Sequence, residues 1–575
     1  MSEPPIGLGC MRVPEGDAGV DVLRAALDAG VTLFDTAASY GPEKKPHHNE
    51  RQLAEALGER SASVTVVTKA GMKRGRGRWM PNGKRKTILA DATASAEALG
   101  RAPDVLLLHL PDPSTAFETS VRALIAARDA GLCHAVGLSN VTLGQLEAAR
   151  ALTEIAMVQL AVGPFDEEAV RGGVVERCVE LGIPVLAHSP LGGPKKPRRL
   201  TDDADLRWLA ESHEVTPQTI VLAWLRSLGV IPIPGVSRIE TARAAAARLV
   251  LRDDERALLD DRFPLGRLLR TKRSARAVTK SRREVVVFVG IPAAGKTTAA
   301  TALVRDDYLR LSRDERGGTL KGLAQAMGEA LEEGTERVLM DATYPTRAGR
   351  SRVLEGAWEQ GAQVRCIHFD TPIEEAQINA VDRMLERKGE LLAGDALTAA
   401  GKEDPNLFPP HAQFRYRDRF EAPSPEEGFA AIEVRPFERR PVEGHDRAGL
   451  LLDLGALVVP ARWRRGEAID ADRLKALVRP ETPTLVMAWL PEGEGRGAAE
   501  LSAEVAAIDP SIAVGVCTHA AGPARCWCRP PLPGLPVAWL RGNAIAPAKV
   551  TMLGASSTAE RLAETLGFLY RPHAP

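Results

Sequence analysis

The chain has 575 residues, 44% of them apolar and 26% charged, a composition of ordinary folded domains rather than of a disordered or fibrous chain. Its 75 basic residues offset 75 acidic ones, which excludes a global positive field able to hold nucleic acid without regard to sequence. No apolar run reaches the roughly 18 residues that span a bilayer, the opening MSEPPIGLGC has no secretory pattern, and seven cysteines are too few for a disulfide framework, so a cytoplasmic protein with no membrane partner is expected.

From Ile6 to about Phe263 short apolar runs alternate with amphipathic stretches. The runs are IGLGCM (6–11), TLFDTA (32–37), VTVVTK (64–69), DVLLLHL (104–110), HAVGLSN (134–140), IAMVQL (155–160), PVLAHSP (184–190) and VIPIPG (230–235). Between them VDVLRAALDAG (20–30) and FETSVRALIAARDAG (117–131) carry helical spacing and close on glycine, as helix ends do. Eight strand–helix units predict a (β/α)8 TIM barrel over 1–265. A doubly wound open sheet is the rival, but no GxGxxG follows the first run.

Chemistry in such barrels sits at the C-terminal ends of the strands. Asp35, Tyr40, Lys69 and His109 stand at these ends. A tyrosine at its ordinary pKa near 10 is a poor acid at neutral pH. The expectation is that the Lys69 ammonium lowers it, that Asp35 holds the ammonium, and that His109 hydrogen-bonds the substrate oxygen as charge develops there. The loop GMKRGRGRWMPNGKRK (71–86) brings seven cations beside this set, either to meet an anionic carbonyl substrate or as a solvated loop.

A basic segment, RLLRTKRSARAVTKSRR, reads as a solvated linker over 266–283. The next domain, 284–442, opens with VVVFVGIPAAGKTTAA, a buried strand, a glycine turn and a helix start. Gly290, Gly295, Lys296 and Thr297 fit GxxxxGK[ST], with Thr298 beside them. In that pattern backbone N–H groups wrap phosphates, the lysine reaches the β- and γ-phosphates, and a threonine hydroxyl meets Mg2+, so ATP or GTP is expected. Asp314 follows the presumed second strand, and Asp341 ends an apolar one. One carboxylate there can take the proton of an attacking hydroxyl while the other supports magnesium. Arg383 and Arg387, four apart, suit either a lid over the transferred phosphoryl or a solvated helix face.

The last domain, 445–575, contains Cys517-Thr-His519 and, after six residues, Cys526-Trp-Cys528. Three sulfurs and one imidazole make the closed tetrahedral set of a structural Zn2+ site.

Each domain resembles a known family. The first, with FDTAxxYG followed by Asn49-Glu50, the strand-3 lysine and the strand-4 histidine, resembles the aldo/keto reductases. The resemblance implies NADPH-dependent reduction of a small carbonyl compound. It assigns the nicotinamide carboxamide to Ser139, Asn140 and Gln159, the cofactor phosphates to the segments of Ser189 and Leu191, and the 2′-phosphate to Ser237 and Arg238. Val162 stands where the family commonly stacks a tyrosine, and Ala244-Ala245 where it carries Glu-Asn.

The second domain, through SRD (312–314), DATYPTRAGR (341–350) and the tail 416–437, resembles the polynucleotide 5′-hydroxyl kinases, which implies Asp314 as general base and Arg383 as a lid arginine. The hydroxyl acceptor is then a polynucleotide 5′-end or a small molecule. The third resembles haloacid-dehalogenase-type (Rossmannoid α/β) phosphatases of heptose bisphosphate or histidinol phosphate, zinc loop included. Its catalytic positions are mostly lost: Asp453-Leu-Gly455-Ala-Leu457 replaces DxDxT, Pro530 a lysine and Ala555 an aspartate. The expectation is a multifunctional reductase and ATP-dependent kinase with an inactive zinc-bound module. The alternative is a nucleic-acid end-processing kinase whose barrel senses redox state through NADPH.

Overall fold

Strand-forming runs of Val, Leu and Ile are buried over nearly their whole length here, as expected where helices cover both faces of parallel sheets. The computed structural model describes residues 4–193, 197–493, 495–522 and 524–575. The chain divides into two units, one running to Ala277 with Arg347–Glu355, the other comprising Val278–Thr346 and Gly356–Pro575.

The first unit holds β1 (Gly7–Gly9), β2 (Leu33–Asp35), β3 (Thr65–Ala70), a hairpin of β4 (Met72–Gly75) and β5 (Arg78–Pro81), β6 (Val105–Leu108), β7 (Ala135–Ser139), β8 (Val158–Ala161), β9 (Val185–His188) and β10 (Ile231–Ile233). Without the hairpin, these make one parallel eight-stranded sheet in chain order, and the ring closes where the Gly9 N–H donates to the Pro234 carbonyl at 3.0 Å. Leu33, Val67, Leu107, Met157, Leu186 and Ile231 plug its interior. The plug is tight: a Cβ at Gly137 would lie 2.4 Å from the Met157 carbonyl oxygen, so only glycine fits there. The outer helices are set by local signals, such as the Thr142 and Gln145 capping box before Leu143–Arg150, and Thr216 with Pro217 opening Pro217–Ser227.

The basic segment differs from the solvated linker expected. Pro264–Arg270 and Arg273–Arg276 are helical, and Leu265 and Leu268 enter the barrel's outer core beside Trp224 and Phe263. Leu265 and Leu268, three residues apart, with Leu269 packed beside them, supply the apolar surface that holds this helical turn down, and Arg273 is itself buried against the Arg171 carbonyl.

The second unit contains two open parallel sheets. One orders β11 (Glu284–Val289), β12 (Leu309–Ser312), β13 (Arg337–Asp341), β14 (Gln363–Asp370) and β15 (Ala431–Pro436) as β12-β13-β11-β14-β15. The other orders β16 (Arg447–Asp453), β17 (Thr484–Trp489), β18 (Ala513–Cys517), β19 (Ile545–Gly554) and β20 (Leu569–Pro572) as β18-β17-β16-β19-β20. In each, the first strand is central and the order reverses beside it, which opens a crevice at the carboxyl ends of the strands. Among the described residues no helix is long and apolar enough to cross a membrane.

Leu265 is fully buried, so Leu265→Ala should lower the stability of the barrel by about 3 kcal/mol, read by pulse proteolysis of the full chain in urea. Loss of less than about 0.5 kcal/mol would mean that the segment is dispensable to the barrel.

Candidate functional site

Parallel strands deliver their C-terminal residues to one rim, and β2, β3 and the residue after β6 bring Asp35, Lys69 and His109 there. The Lys69 Nζ donates to Asp35 Oδ1 at 2.7 Å, to Oδ2 at 2.8 Å, to the Thr36 carbonyl at 2.8 Å and to the Tyr40 hydroxyl at 3.1 Å. All four predicted residues are therefore gathered; Lys69, Asp35 and Tyr40 are buried, and the His109 ring meets the Tyr40 ring edge-on at 5.6 Å. Burial alone would strip the proton from Lys69, but Asp35 and Tyr40 more than offset it and its pKa is raised, so it stays an ammonium.

Tyr40 corrects the expectation. Burial raises its pKa, and the lowering by Lys69 only partly offsets that, while Asp35 pushes upward again. In the resting site Tyr40 is thus held as the neutral phenol. His109 is held well below the usual imidazole range by burial and then by Lys69 and His188, which keeps it neutral.

The residues assigned to the carboxamide join the same network. Gln159 donates to Asp35 Oδ1 at 2.6 Å, and the Ser139 hydroxyl reaches Gln159 Oε1 at 3.5 Å. Asn140 donates to Ser139 Oγ at 2.8 Å and to the His109 carbonyl at 3.2 Å. Its own Oδ1 lies 2.9 Å from His188 Nε2. Asn140 and Ser189 both take positive φ, 57° and 52°, a conformation that non-glycine residues hold only where the surroundings impose it. Leu191 packs on the barrel core, and Ser237 and Arg238 are exposed just beyond β10. Val162 is fully buried, so no aromatic ring stands at that position.

His188 and Trp79 escaped the sequence reading. His188 ends a strand in an ordinary apolar run, and only the rim shows that it steers Asn140. Trp79, on the hairpin, sits 6.1 Å from Tyr40 and 6.0 Å from His109 while 42% exposed, a partly open wall beside the tetrad. Of the loop's cations, Arg74 is committed to the Gly41 carbonyl at 2.6 Å and to the face of Trp79.

In the second unit the turn after β11 carries Gly290 and Gly295, and the helix Lys296–Arg305 begins at its end. Gly295 adopts φ 86°, and a Cβ at Gly290 would press on Phe369 at 3.0 Å. Lys296 Nζ donates to the Gly290 and Ile291 carbonyls at 2.8 Å each, and burial draws its pKa down to about 8. Asp341 and Asp314 pull it the other way, as carboxylates near an ammonium do, and Arg383 adds to the lowering. Asp341 accepts from Arg310 at 2.6 and 2.9 Å, and Thr297 and Thr298 are exposed at the helix start. Asp314 has its pKa raised by burial and by Asp341. Arg387 pairs with Asp404, whereas Arg383 bonds Asn406 at 3.1 Å and lies within the field of Lys296. The sequence reading also missed two residues that hold the loop from outside: Gln413 donates to the Pro292 carbonyl at 2.9 Å and Asn379 to that of Ala293 at 3.0 Å.

Around the other sheet, Cys517, His519, Cys526 and Cys528 place their ligand atoms within 4.8 Å of one another. The Cys517–Cys526 sulfur separation is 3.8 Å, and His519 Nδ1 lies 3.6 Å from Cys517 Sγ and 3.3 Å from Cys528 Sγ. Zn–S bonds of about 2.3 Å in a tetrahedron put sulfurs roughly 3.8 Å apart, so the four residues fit zinc. Asp453, at the end of β16, accepts from the Gly455 N–H at 3.2 Å, and burial pushes its pKa up to about 6. A Cβ at Gly455 would lie 3.9 Å from that of Ala555, which stands where the resemblance expects an aspartate.

Removing one partner of a buried ion pair strands the other. Lys69→Met should therefore cost about 3 kcal/mol of barrel stability in urea, and Lys69→Met with Asp35→Leu should cost less than the single change. Equal losses for the two variants would show that Asp35 is not stranded.

The aldo/keto reductase family profile matches residues 5–262, and an AAA-domain profile matches 285–399. Pyridoxine 4-dehydrogenase of Escherichia coli (strain K12) is 32% identical over 258 residues, covering 42% of this chain and 85% of that protein. An aldo-keto reductase of Gibberella moniliformis is 28% identical over 250 residues, 38% of this chain and 75% of that one. Among solved structures, an aldo/keto reductase of Klebsiella pneumoniae in complex with NADP and acetate is 24% identical with a TM-score of 0.40, over 46% of this chain and 92% of that one. Through its first 262 residues, with the buried lysine–carboxylate pair and tyrosine at the barrel mouth, the chain belongs to the aldo/keto reductase family.

Proposed function

We propose that the barrel reduces an aldehyde or ketone with NADPH, that the P-loop domain transfers the γ-phosphoryl of ATP to a hydroxyl, and that the C-terminal module binds zinc without catalysing a reaction. The observation that carries the first part is the Lys69 ammonium, clamped by both oxygens of Asp35 and 3.1 Å from the Tyr40 hydroxyl.

NADPH supplies hydride when bound. Ser139, Asn140 and Gln159 would hold its carboxamide, and Ser189, Leu191, Ser237 and Arg238 its phosphates; the exposed Ser237 and Arg238 and the rim network suit those contacts. Tyr40 keeps its proton in the resting site and releases it only as negative charge grows on the substrate oxygen. Lys69 then faces a new phenolate, so its ammonium stabilises the transition state more than the ground state. Neutral His109 orients the carbonyl by a hydrogen bond. The kinship with a pyridoxine dehydrogenase makes pyridoxal-like aldehydes the first compounds to test. The hairpin cations other than Arg74 support trying anionic carbonyls alongside them.

In the P-loop domain Lys296 would meet the β- and γ-phosphates, and Thr297 or Thr298 with Asp341 would hold Mg2+. Asp314, whose pKa burial raises, would accept the proton of the attacking hydroxyl, and Arg383 would meet the phosphoryl charge. A screen with γ-labelled ATP separates the acceptor classes: labelling of 5′-hydroxyl oligonucleotides that weakens steeply with salt marks nucleic acid, labelling of polyols or sugars a small molecule. The C-terminal module retains Asp453 but presents Gly455, Leu457 and Ala555 in place of the acid and magnesium groups that phosphate-ester hydrolysis needs.

Tyr40→Phe should lower NADPH consumption with a reactive aldehyde by roughly a hundredfold or more. Because burial raises the Tyr40 pKa and depresses that of His109, the acid stays protonated and the imidazole neutral through the neutral range. The pH profile of reduction is therefore expected to be flat between about pH 6.5 and 9 and to fall only above it. Unchanged turnover in Tyr40→Phe would remove the reductase assignment.

Lys296 gives a second test. Without nucleotide it loses its proton as pH rises through about 8. Phosphates raise that pKa, so nucleotide binding at pH 8.5 should take up roughly half to three-quarters of a proton per ATP, measured by calorimetry in two buffers of different ionisation enthalpy. Binding without proton uptake would mean that Lys296 does not meet the phosphates.

A further inference from the structure

The helix Ile373–Lys388, which carries Arg383, has two differently occupied faces. Toward the P-loop, Asn379 bonds the Ala293 carbonyl, and Arg383 stands within the field of Lys296 and Asp314. Toward the other sheet, Ile378, Ala380, Val381 and Met384 share one buried cluster with Leu451, Met487, Trp527 and Trp539 of the C-terminal module. Arg541 caps this contact by donating to the Asp382 carbonyl at 2.8 Å and to Glu386 Oε1 at 3.0 Å.

The segment after the helix is pinned to the metal loop itself. Ala393 pairs with Cys526 as an antiparallel bridge, and the Gly394 N–H donates to the Arg525 carbonyl at 3.2 Å. Trp527, between two of the cysteines, is fully buried and donates its indole N–H to the Phe408 carbonyl at 3.0 Å. Ala393 also packs against the cluster formed by the three cysteines. Thus the loop that would hold zinc shares a core with the helix that carries Arg383 and main-chain bonds with the segment that follows that helix.

We propose that the C-terminal module is the mount of the phosphoryl-transfer lid, with Trp527 and Arg541 as positioning residues and the four-ligand loop as the clamp that keeps them in place. The loop between β18 and the helix Gly534–Gly542 has no helix or multi-residue strand among its described residues, and a cation between three thiols and an imidazole favours their close approach. Without that cation the Cys526 and Trp527 backbone loses its reason to hold its shape, and with it go the bridge to Ala393 and the seat of the helix. This gives a module lacking phosphatase groups a role that its surface contacts already perform. The proposal rests on the reading of the P-loop domain as an ATP-dependent kinase only for its consequence; the mounting itself can be tested without nucleotide.

The test is amide hydrogen exchange on the full chain, as purified with its zinc content measured, after dialysis against a chelator, and after zinc is restored. Metal removal is expected to speed exchange in 377–385 and 393–400 at least tenfold, with β3 and β6 of the barrel unchanged, and zinc is expected to reverse it. Unchanged exchange there, while 517–528 itself opens, would overturn the proposal. Should chelation unfold the whole module, seen as lost protection in β16 and β19, Arg541→Ala decides. That variant should keep its zinc and still exchange several-fold faster in 380–388; equal protection in it and the parent would overturn the proposal. Equilibrium dialysis with labelled ATP on the same samples reports separately whether the P-loop binds nucleotide, so a failure of the kinase reading is distinct from a failure of the mount.

Discussion

A lysine ammonium with almost no exposed surface must find a counter-charge and full hydrogen bonding, and the barrel mouth is organised around that need. Asp35 supplies two oxygens and the Thr36 carbonyl a third. The remaining capacity of Asp35 goes to Gln159, whose amide in turn faces Ser139, and Asn140 continues the line to His188. The groups that would read a nicotinamide and those that would protonate a carbonyl are therefore one network, anchored at one buried pair. Behind it, Thr36 donates to Asn49, Asn49 to the Cys10 carbonyl, and Thr68 to Glu50. The residues after the tyrosine motif thus hold up the floor of the site without touching its mouth.

The same balance of burial and charge decides how Tyr40 works. An acid whose pKa was simply lowered would spend part of its time ionised and useless as a donor. Burial raises the Tyr40 pKa and keeps the proton in place, and in the proposed reduction the ammonium would act when the phenolate begins to form. The P-loop poses the complementary problem. Its lysine donates to the loop's own carbonyls, while Gln413 and Asn379 fix two further carbonyls from outside. The glycine turn is thus fixed by groups that come from helices well beyond the motif. One of those helices is also seated on the module that carries the cysteines.

Much of this was legible in the order of residues, because the relevant signals are local. Eight apolar runs, several with a polar residue at or near their C-terminal ends, specify eight strands and the rim at which those side chains meet, since all parallel strands point the same way. The glycine turn with Lys296 and the paired Cys-His and Cys-Cys spacings are local in the same sense: a few consecutive residues make the whole cradle or clamp. The basic segment misled because charge dominates its composition, whereas Leu268, with Leu265 just before the segment, packs into the barrel's outer core and holds its first turns in a helix.

What tertiary structure alone decided concerns residues whose meaning depends on distant partners. His188 lies in an unremarkable strand run until the rim sets it against Asn140, and Trp79 is a hairpin residue until the hairpin stands beside Tyr40 and His109. The direction of the Tyr40 pKa could not follow from spacing, because desolvation is a property of everything packed around a group and not of its neighbours in sequence. Residue types and their intervals determined which chemistry each domain could carry; burial and long-range contact determined in which protonation state, and against which supports, those residues stand.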